Sequence, residues 1–311
     1  MEHRESDRRC VVACYREFAP HPALQGRVRA LFSFSARAEP TPPPRRVTFE
    51  ICFAAGDRYS SPLFADGNAS IVFDLGASVH ANGVWRESSV GNCGKVIGPM
   101  RRVAADFRRE LPAMVGAYFH PAGASAFVRM PCSELTDQIV AIDDVWGSPA
   151  LDLSARFAAL AECERLDLLE DALLAHMGEP RETRTTLDIP GLAATIVGRR
   201  GQVTIDALAA MAGVSRQHLT RVFRERVGVT PKLYCRLARF QSALLHARAG
   251  DGVDWARVAG ELGYADQSQM IAEFREFSSL TPRMLAMEHW FHPFIERAKM
   301  AARVTAPRVT R

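Results

Sequence analysis

Apolar residues follow two different periods along this chain. Over residues 47–53 and 70–75 they come in short β-rich runs, the second after the turn signal Asp66-Gly67-Asn68. A third run, residues 114–119, leads into His120-Pro121-Ala122-Gly123. Short strands punctuated by Gly, Pro, Asn and Asp predict a small barrel or sandwich. Between residues 24 and 34 the apolar positions are mixed. Pro40-Thr41-Pro42-Pro43-Pro44 is incompatible with helix or central strand and predicts an exposed loop. The period then changes. Phe157, Leu160, Leu166, Leu169, Leu173 and Leu174 recur at helical spacing and predict one or two helices closing the strand-rich part. Residues 178–186 are polar with Gly and Pro, as in a linker, and Pro190 suits the first turn of the next helix.

The last third of the chain repeats itself. His218-Leu219-Thr220-Arg221-Val222-Phe223-Arg224-Glu225 recurs 51 positions later as Gln269-Met270-Ile271-Ala272-Glu273-Phe274-Arg275-Glu276, and Thr230-Pro231-Lys232 recurs as Thr281-Pro282-Arg283. Leu208-Ala209 and Ala212-Gly213 recur as Val258-Ala259 and Leu262-Gly263. Each copy predicts a short helix, a Gly-containing turn and a second helix, the arrangement that lays a helix in a DNA groove. Leu233, Leu237, Phe240, Leu244 and Leu245 predict a long amphipathic helix between the copies.

In the first copy Thr204 and Ser215 are N-cap residues, with Gly213 at the turn between the two helices. Leu219, Val222 and Phe223 share one face and are expected in the core. Arg216, Gln217, Thr220 and Arg221 lie on other sides and are the candidates for base contact, since Arg matches guanine O6/N7 and Gln matches adenine N6/N7. Arg224, Arg226 and Lys232 are the candidates for phosphates. In the second copy Asp266 is the N-cap, Gln267, Ser268 and Gln269 are the base-contact candidates, and Met270 and Phe274 are core.

Residues 192–290 resemble the DNA-binding domain of the AraC/XylS family of bacterial transcription regulators. The resemblance rests on Leu208-Ala209, Val214-Ser215, His218-Leu219, Arg221, Phe223-Arg224, Gly228 and Thr230-Pro231, and on Ala259, Leu262-Gly263-Tyr264, Asp266-Gln267-Ser268, Phe274-Arg275 and Thr281-Pro282. It implies seven helices, two recognition helices in adjacent major grooves, and control of transcription. It also places Gln217, Thr220 and Arg221, and then Gln267, Ser268 and Gln269, where the family meets bases. Ala272 departs from the Arg of many members, and Ser278-Ser279-Leu280 from a common Gly followed by Val or Leu; both bear on base contact by the second helix. The strand-rich part looks like a domain found ahead of this unit in some members, through Pro22-Ala23-Leu24, Gly98-Pro99, Phe119-His120-Pro121-Ala122-Gly123-Ala124 and Glu134-Leu135-Thr136-Asp137. That likeness implies a sensor role and names no ligand.

The expected fold is therefore α+β. A β-rich, cupin-like barrel or sandwich closed by helices (1–178) leads through a linker (179–189) to an all-α double helix-turn-helix domain (190–291) and a basic tail (292–311). Charge supports this division. Residues 190–311 carry 18 Lys/Arg against 10 Asp/Glu, and 199–239 alone carry nine against two, a field that draws phosphates. Residues 240–290 carry four against seven.

Other chemistry is thinner. His80 and His120 lack the companions of a metal site, and Cys10 and Cys14 lack the CxxC or nearby His that would complete one, so no metal and no cofactor are expected. Seven scattered cysteines do not read as a disulfide framework. Asp143 and Asp144 are expected in an exposed turn before Trp146. No nucleophile motif such as GxSxG is present, which argues against catalysis. The expected partners are double-stranded promoter DNA and RNA polymerase, with a small-molecule effector and a homodimer open, and no membrane. The expected location is the cytoplasm. Two alternatives stay open: an enzyme targeted to DNA, with catalysis in the first part, and a first part that only dimerises.

Overall fold

Residues 11–36, 47–54, 65–80, 85–87, 94–103, 110–147, 149–178, 187–247 and 253–287 are described in a computed structural model of the protein. Cys10, the proline run at 40–44, most of the segment 179–189 and the basic tail lie outside them.

The strand-rich part is one antiparallel sheet of eight strands: β1 (Val11–Phe18), β2 (Val28–Ala36), β3 (Val47–Ala54), β4 (Ser70–His80), β5 (Trp85–Glu87), β6 (Gly94–Ile97), β7 (Glu110–Phe119) and β8 (Ile139–Ala141). They lie in the order β3-β1-β2-β7-β4-β6-β8, with β5 paired to β4. The three runs read as strands are β3, β4 and β7. Both faces carry buried clusters among the described residues. Phe18, Leu31, Ile71, Phe73, Val115 and Phe119 form one face, packed with Phe157, Leu166, Leu169 and Leu173 from the helices that follow. Tyr15, Phe32, Phe34 and Phe49 cluster on the other. Alternation of strand residues puts both sets where they are.

Three helices close this part: α1 (Ile142–Trp146), α2 (Pro149–Ala159) and α3 (Glu162–His176). Asp143 and Asp144, expected in an exposed turn, instead occupy the first turn of α1, where carboxylates face the positive helix end. The first residue of α3, Glu162, is buried against the sheet. Its Oε2 accepts from Arg16 Nη1 at 2.6 Å, and its Oε1 accepts from the Ser33 hydroxyl.

The C-terminal part contributes seven helices among the described residues. They are α4 (Ile189–Gly198), α5 (Ile205–Met211), α6 (Arg216–Val227), α7 (Pro231–Ala247), α8 (Trp255–Glu261), α9 (Gln267–Ser278) and α10 (Pro282–Met287). Pro190 sits in the first turn of α4, capped by Asp188, whose Oδ1 accepts from Gly191 N at 2.9 Å. α7 is the spine. Tyr234, Cys235 and Ala238 join the core of the first repeat, while Leu237, Phe240 and Leu244 join that of the second.

Contacts among the described residues join the two parts. Asp66-Gly67-Asn68, the turn signal of the sequence, lies on α7: Gln241 Nε2 donates to Asp66 O at 3.0 Å, and Ala65 is buried in the core of the second repeat. The end of α6 meets Pro99, Cys132 and Thr136. Thr136 Oγ1 donates to Gly228 O at 2.7 Å. Gly228 has φ +97°, and a Cβ there would lie 2.7 Å from Pro99 Cγ and 2.9 Å from Cys132 O, so glycine both turns the chain and lets the parts meet.

Candidate DNA-binding surface

The first helix pair is set by its caps. Thr204 Oγ1 accepts from Ala207 N at 3.1 Å to start α5, and Ser215 Oγ accepts from His218 N at 3.2 Å to start α6. Gly213, at φ +66°, makes the bend between them. Leu219, Val222 and Phe223 are buried, which turns the rest of α6 outward. Arg216, Gln217, Arg221 and Arg224 are exposed and Thr220 is half-buried. With Thr230 and Ser133 they line one groove of about 790 Å³.

The arginines in that groove are held loosely. Arg216 Nε lies 3.2 Å from Asp206 Oδ1, and Arg221 Nη1 lies 3.1 Å from Glu225 Oε1, both at exposed positions. Surface pairs of this kind are worth ~0–1 kcal/mol, so exchanging them for a base edge or a phosphate costs little. His218, on the inner side of α6, has Nδ1 3.3 Å from Arg221 Nη2 and orients that guanidinium.

The basic run at 199–239 divides by role. Arg236 Nε and Nη2 bond Glu273 at 2.8 Å and Glu276 at 2.6 Å, tying α7 to α9. Arg239 Nη1 donates to Gly263 O at 3.3 Å, with its guanidinium 4.9 Å from the Tyr264 ring centre. These two arginines hold the repeats together. Arg226, a phosphate candidate, is half-buried, and its charge acts on the Cys132 thiol of the strand-rich part. Lys232 is exposed and lines a second groove with Arg101 and Arg102. Those two arginines were not candidates from sequence, because only the fold brings them beside Lys232. Arg101 Nε pairs with Asp137 Oδ2 at 2.6 Å.

In the second copy, Asp266 Oδ1 accepts from Gln269 N at 2.7 Å and Gln269 Oε1 accepts from Ala265 N at 2.8 Å. This reciprocal cap employs the Gln269 carbonyl oxygen and leaves the amide nitrogen of this exposed side chain for a base. Gln267, Ser268, Ala272 and Arg275 are exposed, while Met270 and Phe274 are buried. The face of α9 is therefore polar where that of α6 is cationic.

Residues 208–286 match the family model of a helix-turn-helix domain, and residues 16–141 match that of a domain of unknown function, DUF6597. The chain thus carries a helix-turn-helix domain behind a segment that matches DUF6597. Among solved structures, ToxT from Vibrio cholerae matches with a TM-score of 0.40 at 9% identity, over 75% of this chain and 95% of that one. Wild-type ToxT of strain SCE256 bound to an unsaturated fatty acid matches with a TM-score of 0.37 at 8% identity, over 91% and 97%. No curated protein matches. A helix-turn-helix domain implies that the chain binds DNA. No helix among the described residues is long and apolar enough to cross a membrane.

Proposed function

We propose that this chain is an AraC-type transcription regulator and reads promoter DNA with Arg216, Gln217, Thr220 and Arg221 of α6, and with Gln267, Ser268 and Gln269 of α9. Arg224, Arg226 and Lys232 would meet phosphates. The observation that carries this reading is the capped helix α6, whose arginines and glutamine share one open groove. Three phosphate contacts give a log–log salt slope of about −3 for duplex DNA. Arg221→Ala should cost ~1–3 kcal/mol on the preferred operator and flatten discrimination at one base pair. Lys232→Ala should weaken every duplex alike and reduce the salt slope by ~1. Titrations of operator variants at several salt concentrations measure both; equal losses on all variants for the two mutants would refute the division of roles. The domain limits 1–178, 179–189 and 190–291 belong to this proposal, as do RNA polymerase and a second copy of the chain as partners.

The regulator's signal, in the same proposal, is a small molecule received between its two parts. A cavity of about 930 Å³ opens there, lined by Phe119, Pro121, Ala194, Val197, Tyr234 and Arg29 among others. That volume is typical of ligand pockets, ~300–1,000 Å³. The Arg29 guanidinium lies 5.0 Å from the Tyr118 ring centre, and its buried Nε has no hydrogen-bond partner among the described residues. A ligand with an acidic group and an apolar body suits that lining. The strand-rich part also reaches the DNA surface, through the Thr136–Gly228 hydrogen bond at the end of α6 and through Ser133, which lines the α6 groove. Such a ligand regulates only through different affinity for two arrangements of the parts. In a thermal-shift screen, small carboxylates should raise the melting temperature of the wild type and lose that effect on Arg29→Gln. Hits that all survive the substitution would end this assignment.

A further inference from the structure

The strongest group of reactive side chains outside the DNA surface lies on β1 and β3. Cys14 and Cys52 are direct partners in the antiparallel register of these strands, and their sulfurs are 2.6 Å apart. Directly opposed residues in such a pair have Cα atoms ~4.5 or ~5.5 Å apart. Both spacings fall in the ~4.4–6.8 Å window of a disulfide, so the backbone need not move to join them. Cys52 is exposed and Cys14 is buried. A carboxylate oxygen of Glu50 lies within 4.8 Å of both sulfurs.

We infer that Cys14 and Cys52 are an oxidation site, a cross-strand dithiol that a peroxide converts to a disulfide. The inference is independent of the DNA reading. Cys52 is the described cysteine open to solvent, and it reacts first. Its thiolate attacks one peroxide oxygen; the S–O bond forms, the O–O bond breaks, and water or an alcohol leaves. The sulfur is oxidised to a sulfenic acid and the peroxide is reduced. Cys14 then attacks the sulfenic sulfur. The S–S bond forms, the S–O bond breaks, and hydroxide leaves with the Cys14 proton as water.

Burial and the neighbouring Cys52 push the Cys14 thiol up to about 12, so Cys14 waits as a neutral thiol and does not compete for oxidant. The same pair fits a metal poorly. Two thiolates on a tetrahedral cation with ~2.3 Å bonds sit roughly 3.8 Å apart, well beyond the observed separation. Both would also need to be ionised, against the raised Cys14 thiol.

The test uses the full chain. After brief treatment with hydrogen peroxide, free thiols are alkylated and the protein is mapped without reduction. The expected result is a linked pair of peptides holding Cys14 and Cys52, a mass loss of two hydrogens, and full reversal by dithiothreitol. Cys52→Ser should abolish the link. Cys14→Ser should leave a Cys52 sulfenic acid that dimedone captures, and Cys10→Ser should leave the link intact. A link from Cys52 to Cys10 would overturn the inference. So would a wild-type Cys52 that stays alkylatable, or one that goes on to the sulfinic acid while Cys14 remains free. Circular dichroism confirms that each variant is folded before its thiols are read.

Discussion

Glu162→Ala should destabilise the protein by ~3–5 kcal/mol, the loss expected when one partner of a buried ion pair is removed. Glu162 and Arg16 are exposed by only 2% and 7% of their side chains. Burial opposes the Arg16 charge, and the carboxylates of Glu50 and Glu162 more than offset it, holding that guanidinium above its ordinary range. Without Glu162, Arg16 keeps Glu50 at 2.7 Å, a partner whose side chain is 45% exposed and screened by water. The Ser33 hydroxyl also loses its acceptor. Urea unfolding should show a lower midpoint with an unchanged slope. Replacing both partners together, Arg16→Met with Glu162→Leu, should recover most of the loss, because a matched apolar pair leaves no stranded charge. A double variant as unstable as Glu162→Ala would mean that shape, not charge, holds α3 on the sheet.

Sequence pattern was most informative where local chemistry decides structure. The caps at Thr204, Ser215 and Asp266 and the buried positions Leu219, Val222, Phe223, Met270 and Phe274 were all legible, because capping and helical period need only a few neighbouring residues. Strand β1 was not. Its two faces are both buried, and Arg16 and Glu17 interrupt its apolar run although both lie inside. A polar residue in a buried strand is intelligible only once its partner is known, and that of Arg16 is 146 residues away. Cys14 was likewise read beside Cys10, its neighbour in sequence, whereas strand register puts Cys52 against it. The candidate site divided the same way. The exposed face of α6 followed from its core face. The use of the Gln269 side chain as a cap, the spending of Arg236 and Arg239 on contacts with the second repeat, and the arrival of Arg101 and Arg102 beside Lys232 depend on packing between distant segments.

Phe223→Ala and Phe274→Ala remove the same side chain from equivalent positions of the two repeats, and each should cost ~3–5 kcal/mol. Both rings are fully buried. Phe223 packs edge-on to Tyr234 at 5.6 Å, and Phe274 edge-on to Phe240 at 5.0 Å, so each joins its repeat to α7. Their effects on DNA should nonetheless differ. Among the described residues, Arg216, Arg221 and Arg224 of α6 share one groove and Lys232 lines the next, while α9 carries Arg275 as its single cation and turns its acidic Glu273 and Glu276 toward Arg236. Loosening the first repeat therefore removes the phosphate contacts. Phe223→Ala should bind all duplexes weakly, with a flattened salt slope. Phe274→Ala should keep most of its non-specific affinity and its salt slope, and lose discrimination between operators at the half-site read by α9. Titration of one operator and one scrambled duplex, below the melting temperatures of both variants, separates the two cases. If Phe274→Ala flattens the salt slope as much as Phe223→Ala does, charge is shared by both repeats in the complex, and the polar face of α9 is a poor guide to how it meets DNA.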